Sequence, residues 1–120
     1  MARSLAVKVT CGAEDAERCN QAFTVAASAV ASGTDVSLWL TGEAAWFGVP
    51  GRAEAFDLPL ATPLADLLAA VLAGGRVTVC TQCAARREIT EADVISGIRI
   101  AGAAVFAEEI LRSDVQALVY

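Results

Sequence analysis

The chain has 120 residues, is 56% hydrophobic with a mean hydropathy of +0.53, and carries a net charge of −5 with a pI near 4.6. That length suits one domain over residues 1–120, and its basic residues, Lys8 and the scattered arginines, lack the clustered footprint that nucleic acid requires. The absence of histidine excludes Ser-His and Cys-His catalysis within the chain and removes the commonest metal ligand.

In chain order, "SLAVKVT" is a β-branched apolar run that predicts a first strand, closing at Cys11-Gly12. "AEDAERCNQAFTVAASAVASG" predicts a helix whose apolar face is Ala16, Cys19, Phe23, Ala26 and Val30. Glu14, Asp15 and Glu17 suit its first turn and Gly33 its stop. "DVSLWLTG" is the second strand. Residues 43–61 form the longest irregular stretch, and its aromatics Trp46, Phe47 and Phe56 are either tucked against the core or buried in a partner. Trp46 and Phe47 are the candidate interface residues. "TPLADLLAAVLAGG" is a helix with Thr62 as N-cap, Pro63 at the first position and a stripe of Leu64, Leu67, Leu68, Val71 and Leu72. "RVTVC" is a third strand ending in Cys80. "TEADVIS" carries a Thr90-to-Asp93 capping pattern and predicts a short helix. "GIRIAG" is a fourth strand, "AAVFAEEILRSD" a last helix with Glu108 and Glu109 on its solvated face, and "VQALVY" a fifth strand.

Strands alternating with helices argue a parallel sheet covered on both faces, an α/β/α sandwich. No apolar run approaches the roughly 18 residues of a membrane helix, so no membrane span is expected. "MARSLAVKV" shows no export pattern, so the four cysteines read as reduced thiols in a cytoplasmic protein. The apolar excess points to subunit interfaces and a soluble oligomer.

In sheets of this kind, ligands and chemistry collect at the carboxyl ends of the strands. Cys11 and Cys80 both fall there, whereas Cys19, on a helix stripe, reads as a small core residue. Cys80 leaves a strand just before a helical turn, with Arg86 and Arg87 close behind. Backbone N–H groups and positive charge of that kind favour a thiolate. Cys83 completes a CxxC, which by itself fits a redox pair, half a metal site, a sulfur carrier with a neighbour, or packing. Zinc would need all four cysteines to converge. Cys11 and Cys19 stand eight apart with a helix starting between them, so no metal is expected.

"VKVTCGAEDAERCNQAFTVAASAVASGTDVSLWLTG", "VTVCTQCAARREIT" and "GIRIAGAAVFAEEILRSDVQALVY" together resemble the DsrE/DsrF-like family, with its TusD-like and YchN-like sulfur-relay members, over nearly the whole chain. The resemblance implies a three-layer α/β/α sandwich with a five-stranded parallel sheet, assembled as a homotrimer or homohexamer. It also implies that Cys80, six positions before Arg86, accepts sulfur as a persulfide and exchanges it with donor and acceptor proteins, without a cofactor. Cys83 stands where TusD-like proteins commonly have alanine, and Glu88 where the family often has glycine. The leading expectation is therefore a sulfur carrier or sulfurtransferase using Cys80, with Cys83 as a resolving thiol, Arg86 and Arg87 as supporting cations, and Cys11 nearby. The alternatives are a thiol-disulfide redox protein using Cys80 and Cys83, or a non-enzymatic oligomeric binding domain.

Overall fold

A computed structural model describes residues 3–120. Five strands form one parallel sheet: β1 (Ser4–Val9), β2 (Asp35–Leu40), β3 (Arg76–Cys80), β4 (Arg99–Ala101) and β5 (Val115–Val119). Their order is β4-β3-β2-β1-β5. The connections carry α1 (Ala16–Ala31), α2 (Leu64–Gly74), the short α3 (Thr81–Arg86) and α4 (Ala103–Ile110). The expected five-stranded parallel α/β arrangement is what the chain adopts.

The order explains how the two faces are covered. From β1 to β4 the chain steps outward in one direction, and after β4 it reverses to place β5 on the far side of β1. Parallel crossovers are right-handed, so a reversal of direction moves the connecting helix to the other face. Val7, Val9, Val36, Leu38, Leu40, Val77 and Val79 accordingly pack on the buried stripes of α1 and α2. The opposite face is covered by α4, through a small cluster of Ala6, Trp39 and Phe106. The register places Lys8, Trp39, Thr78 and Arg99 in one row across that second face.

Three local expectations are corrected. Thr62 does not cap α2: the helix starts at Leu64 after Pro63, and the Thr62 carbonyl instead accepts from Asn20 Nδ2 at 3.4 Å. Residues 90–96 form turns and not a helix. The Asp93 carboxylate does accept from both the Thr90 N–H and hydroxyl at 2.8 Å, but the Ile95 N–H bonds to the Gly48 carbonyl, also at 2.8 Å, so no helical ladder follows. The third concerns residues 43–61, which are less irregular than expected. They open with a 3-10 stretch, Gly42–Gly48, that packs Phe47 inward. No helix among the described residues is long and apolar enough to cross a membrane.

Candidate functional site

The elements after β3 and β4 pack on opposite faces of the sheet, α3 with the cluster under α1 and α2 and α4 with the other, so the direction of the chain reverses between the carboxyl ends of these two strands. Sites in open α/β sheets form at such reversals. Cys80, the last residue of β3, lies at this point, opposite Ala101 of β4, and is half-buried. It is also the N-cap residue of α3. Burial raises its thiol, but the Cys83 and Gln82 N–H groups, the Cys83 thiol and the Lys8 ammonium outweigh that and hold it below the ordinary cysteine range. The two N–H groups face the sulfur without closing to strict cap geometry. They belong to the unsatisfied first turn of a helix, where an anion is welcome.

Cys83 lies inside α3, half-buried against the cluster under α1 and α2. Its sulfur accepts the Gly42 N–H at 3.1 Å. Only glycine fits at position 42: φ is +56°, and a Cβ there would stand 2.5 Å from the Thr10 carbonyl oxygen. The tight Thr41-Gly42 turn thus delivers a backbone donor to the second thiol. The two cysteines are one turn apart on the chain but sit in different settings: Cys80 on the α4 side of the rim, Cys83 on the side of α1 and α2.

The arginines take separate positions. Arg86 is exposed at the end of α3. Arg87 grips the Glu43 carboxylate, with Nε at 2.9 Å and an amino nitrogen at 2.8 Å, and donates to the Cys83 carbonyl at 3.1 Å. It therefore clamps α3 to the loop after β2, and its charge is already matched. The one cation among the causes that lower Cys80, and the smallest of them, is Lys8, the chain's lone lysine. Alternation along β1 puts Lys8 on the face of buried Ala6, but nothing local in the sequence links it to Cys80.

Cys11 lies two residues beyond β1, is 6% exposed, and points its thiol at the Asp15 carbonyl, 3.8 Å away. Burial and the charges of Asp15 and Glu14 raise it, against a smaller opposing effect of Arg18, so it stays a protonated thiol. Cys19 is fully buried, and burial, with Cys11 and the same carboxylates, pushes it up to about 12. All four cysteines are free. No group of three or more His, Cys, Asp or Glu among the described residues is placed to hold a metal ion.

Of the expected interface pair, Phe47 is a core residue. It is 5% exposed and packs edge-on between Phe23 and Phe56, with ring centroids 5.9 and 5.5 Å away. Trp46 keeps some surface, and the Arg52 guanidinium stacks 4.2 Å from its ring. With Glu14, Glu43 and Phe56 these groups line a cavity of about 250 Å³ beside the Arg87 clamp.

Glu109, expected in solvent, is instead drawn inward. Burial raises its carboxyl, but hydrogen bonds from Ser37, Trp39 and Arg99 and the charge of Arg99 bring it below the usual carboxylate range. The Trp39 indole donates to it at 3.2 Å, while Arg99 pairs with it and also donates to the Thr78 hydroxyl at 2.6 Å. This network ties α4 to β2, β3 and β4 two residues below Cys80.

A profile of the DsrE/DsrF-like family matches residues 3–116. Among solved structures, the ychN protein from E. coli superposes with a TM-score of 0.80 at 20% identity, covering 100% of both chains. A conserved protein of unknown function from Bacteroides thetaiotaomicron superposes at 0.61 with 15% identity, over 98% of this chain and 95% of its own. At these identities the likeness is one of fold. No curated protein matches the sequence.

Proposed function

Because the chain belongs to the DsrE/DsrF-like family, we propose that it works as a sulfur carrier in a relay, taking sulfur as a persulfide on Cys80. Family membership supports a sulfur-relay role in general. The observation that carries the specific reading is the Cys80 thiol, half-buried at the carboxyl end of β3 beside β4 and held below its ordinary range. The Cys80 thiolate attacks the outer sulfur of a donor persulfide. A new S–S bond forms on Cys80, the donor's S–S bond breaks, and the donor leaves as its thiolate. The Cys83 thiol then attacks the inner sulfur of the Cys80 persulfide. That step gives a Cys80–Cys83 disulfide and releases hydrosulfide, which carries off the Cys83 proton.

The test is intact mass spectrometry after exposure to a persulfide donor. Cys80→Ser shows no added sulfur. Cys83→Ser keeps it, whereas the wild type loses it over time as the disulfide appears. Sulfur retained on Cys80→Ser overturns the assignment. A thiol-disulfide enzyme is the second reading, favoured by the Cys83 thiol that faces Cys80. It requires both cysteines for turnover and predicts a reversible disulfide without any sulfur donor.

This reading treats residues 1–120 as one DsrE-like domain working as a homotrimer or homohexamer. Support comes from the large apolar side chains left in solvent: Leu60 fully exposed, Leu111 at 82% and Val119 at 64%. Free thiols fit a reducing cytoplasmic setting. Light scattering on the purified chain measures the assembly state, and a monodisperse monomer overturns that part.

A further inference from the structure

Lys8 is half-buried on the second face of the sheet, its ammonium 5.1 Å from the centroid of the Phe106 ring on α4. Among the described residues no carboxylate lies within ion-pair distance of it, although five other pairs form across the molecule. A half-buried cation without a counter-charge is costly, so it needs some other compensation. The register indicates where that lies. Lys8 aligns with Trp39, Trp39 with Thr78, and Cys80 is two residues further along β3 on the same face. Two strand spacings and two residues of rise separate the two backbone positions by roughly 10 Å across and 7 Å along, and the lysine's long stem shortens the distance over which its charge must act.

We propose that Lys8 is a positioning residue for Cys80: its ammonium, propped on Phe106, faces the sulfur at the rim and balances its negative charge as thiolate and as persulfide. This rests on the persulfide reading above and identifies the group that supplies the charge.

The other charged and titratable groups around Cys80 leave that role open. Arg87 is held by Glu43, and Arg99 of β4 by Glu109 of α4. Arg86 is exposed at the far end of α3, and the first turn of α4 has no acidic residue. The remaining titratable neighbour is the Cys83 thiol, a donor to Cys80 rather than a cation. Lys8 is the charge that acts to lower the Cys80 thiol. It reaches the site from the side of the sheet opposite Cys83, so the sulfur is held from two directions.

The test is the pH dependence of Cys80 alkylation, resolved by peptide mass spectrometry, in wild type, Lys8→Met and Lys8→Arg. Methionine keeps the apolar stem on Phe106 and removes the charge. The Lys8→Met midpoint moves to higher pH, and its alkylation at neutral pH slows by about three- to tenfold, as expected for the loss of one nearby opposite charge. Lys8→Arg returns the midpoint toward wild type. Added salt raises the wild-type midpoint and leaves that of Lys8→Met in place, a readout on folded wild type even where the variant is unstable. An unmoved midpoint in Lys8→Met, or a wild-type midpoint indifferent to salt, overturns the proposal. Alkylation needs no sulfur donor. A normal Lys8 effect with no persulfide on Cys80 therefore defeats the carrier function alone, and persulfide formation with no Lys8 effect defeats this inference alone.

Discussion

The two faces of the sheet are built from the same alternating strands but bury different chemistry. Under α1 and α2 lies a dry aliphatic and aromatic layer in which Phe23, Leu38, Leu40, Val71 and Val79 are fully buried. Under α4 lies one aromatic pair, Trp39 and Phe106 at 5.2 Å, surrounded by Lys8, Ser37, Thr78, Arg99 and Glu109. The first face supplies the hydrophobic stabilisation. The second spends area on a hydrogen-bonded network, and Cys80 belongs to its rim. The division shows how one sheet can keep an inert core and a charge-responsive edge a single strand residue apart.

The comparison breaks first on core deletions. Phe23→Ala on the dry face costs about 3–5 kcal/mol. Phe106→Ala, at a site with 9% exposure and a smaller cluster, costs clearly less. Urea midpoints decide between them, and equal losses would mean that the faces contribute alike. Next comes Trp39→Phe, which keeps an edge-to-face ring contact with Phe106 but leaves Glu109 and Ser37 without the indole donor, at a cost of about 1–3 kcal/mol.

A smaller effect is one of acidity. The folded Glu109 carboxyl lies below its usual value of 4.5. Its contribution is therefore fully present above the unfolded value and is lost as pH falls through the lower folded one. Wild-type urea midpoints drop over that acid window, and in Glu109→Gln this part of the slope disappears. The smallest change is a gain. Glu88, the residue after the α3 C-cap Arg87, has φ +56°, and there the Ile89 N–H returns to the Ala84 carbonyl at 2.9 Å and the Glu88 N–H to that of Ala85 at 3.2 Å. This is the left-handed helix stop that favours glycine. Glu88→Gly should stabilise the chain by about 1 kcal/mol, read as a rise in Tm, without altering Cys80 alkylation.

Much of this was legible in the residues. The periodicities of strands and helices located all five strands and the three longer helices, and the end of "RVTVC" placed Cys80 on the rim. Strand order was not legible, because nothing local records that the chain reverses after β4, and that reversal is what puts the end of β3 at the switch in direction. Lys8 was hidden for the same reason: it lies 72 positions from Cys80 in the sequence, and only the register of three strands brings the two onto one face. Glu109 could have been read. It follows Val105 by four and Phe106 by three, which puts it on the inward stripe of α4. The pairing of two adjacent glutamates suggested solvent and hid that geometry. Position 88 gives the family's glycine a physical reason, since the left-handed stop is present here even with glutamate in place.

The strand order also sets a schedule for a nascent chain. β1 is synthesised first and occupies a central place in the sheet, yet its partner on one side, β5, is synthesised last. Until residues 115–119 emerge, the backbone edge of "SLAVKV" facing that side has no native strand to pair with, and a second copy of the chain offers a ready substitute. The charge of Lys8, next to last in that run, discourages such stacking, so the same side chain guards the strand during synthesis.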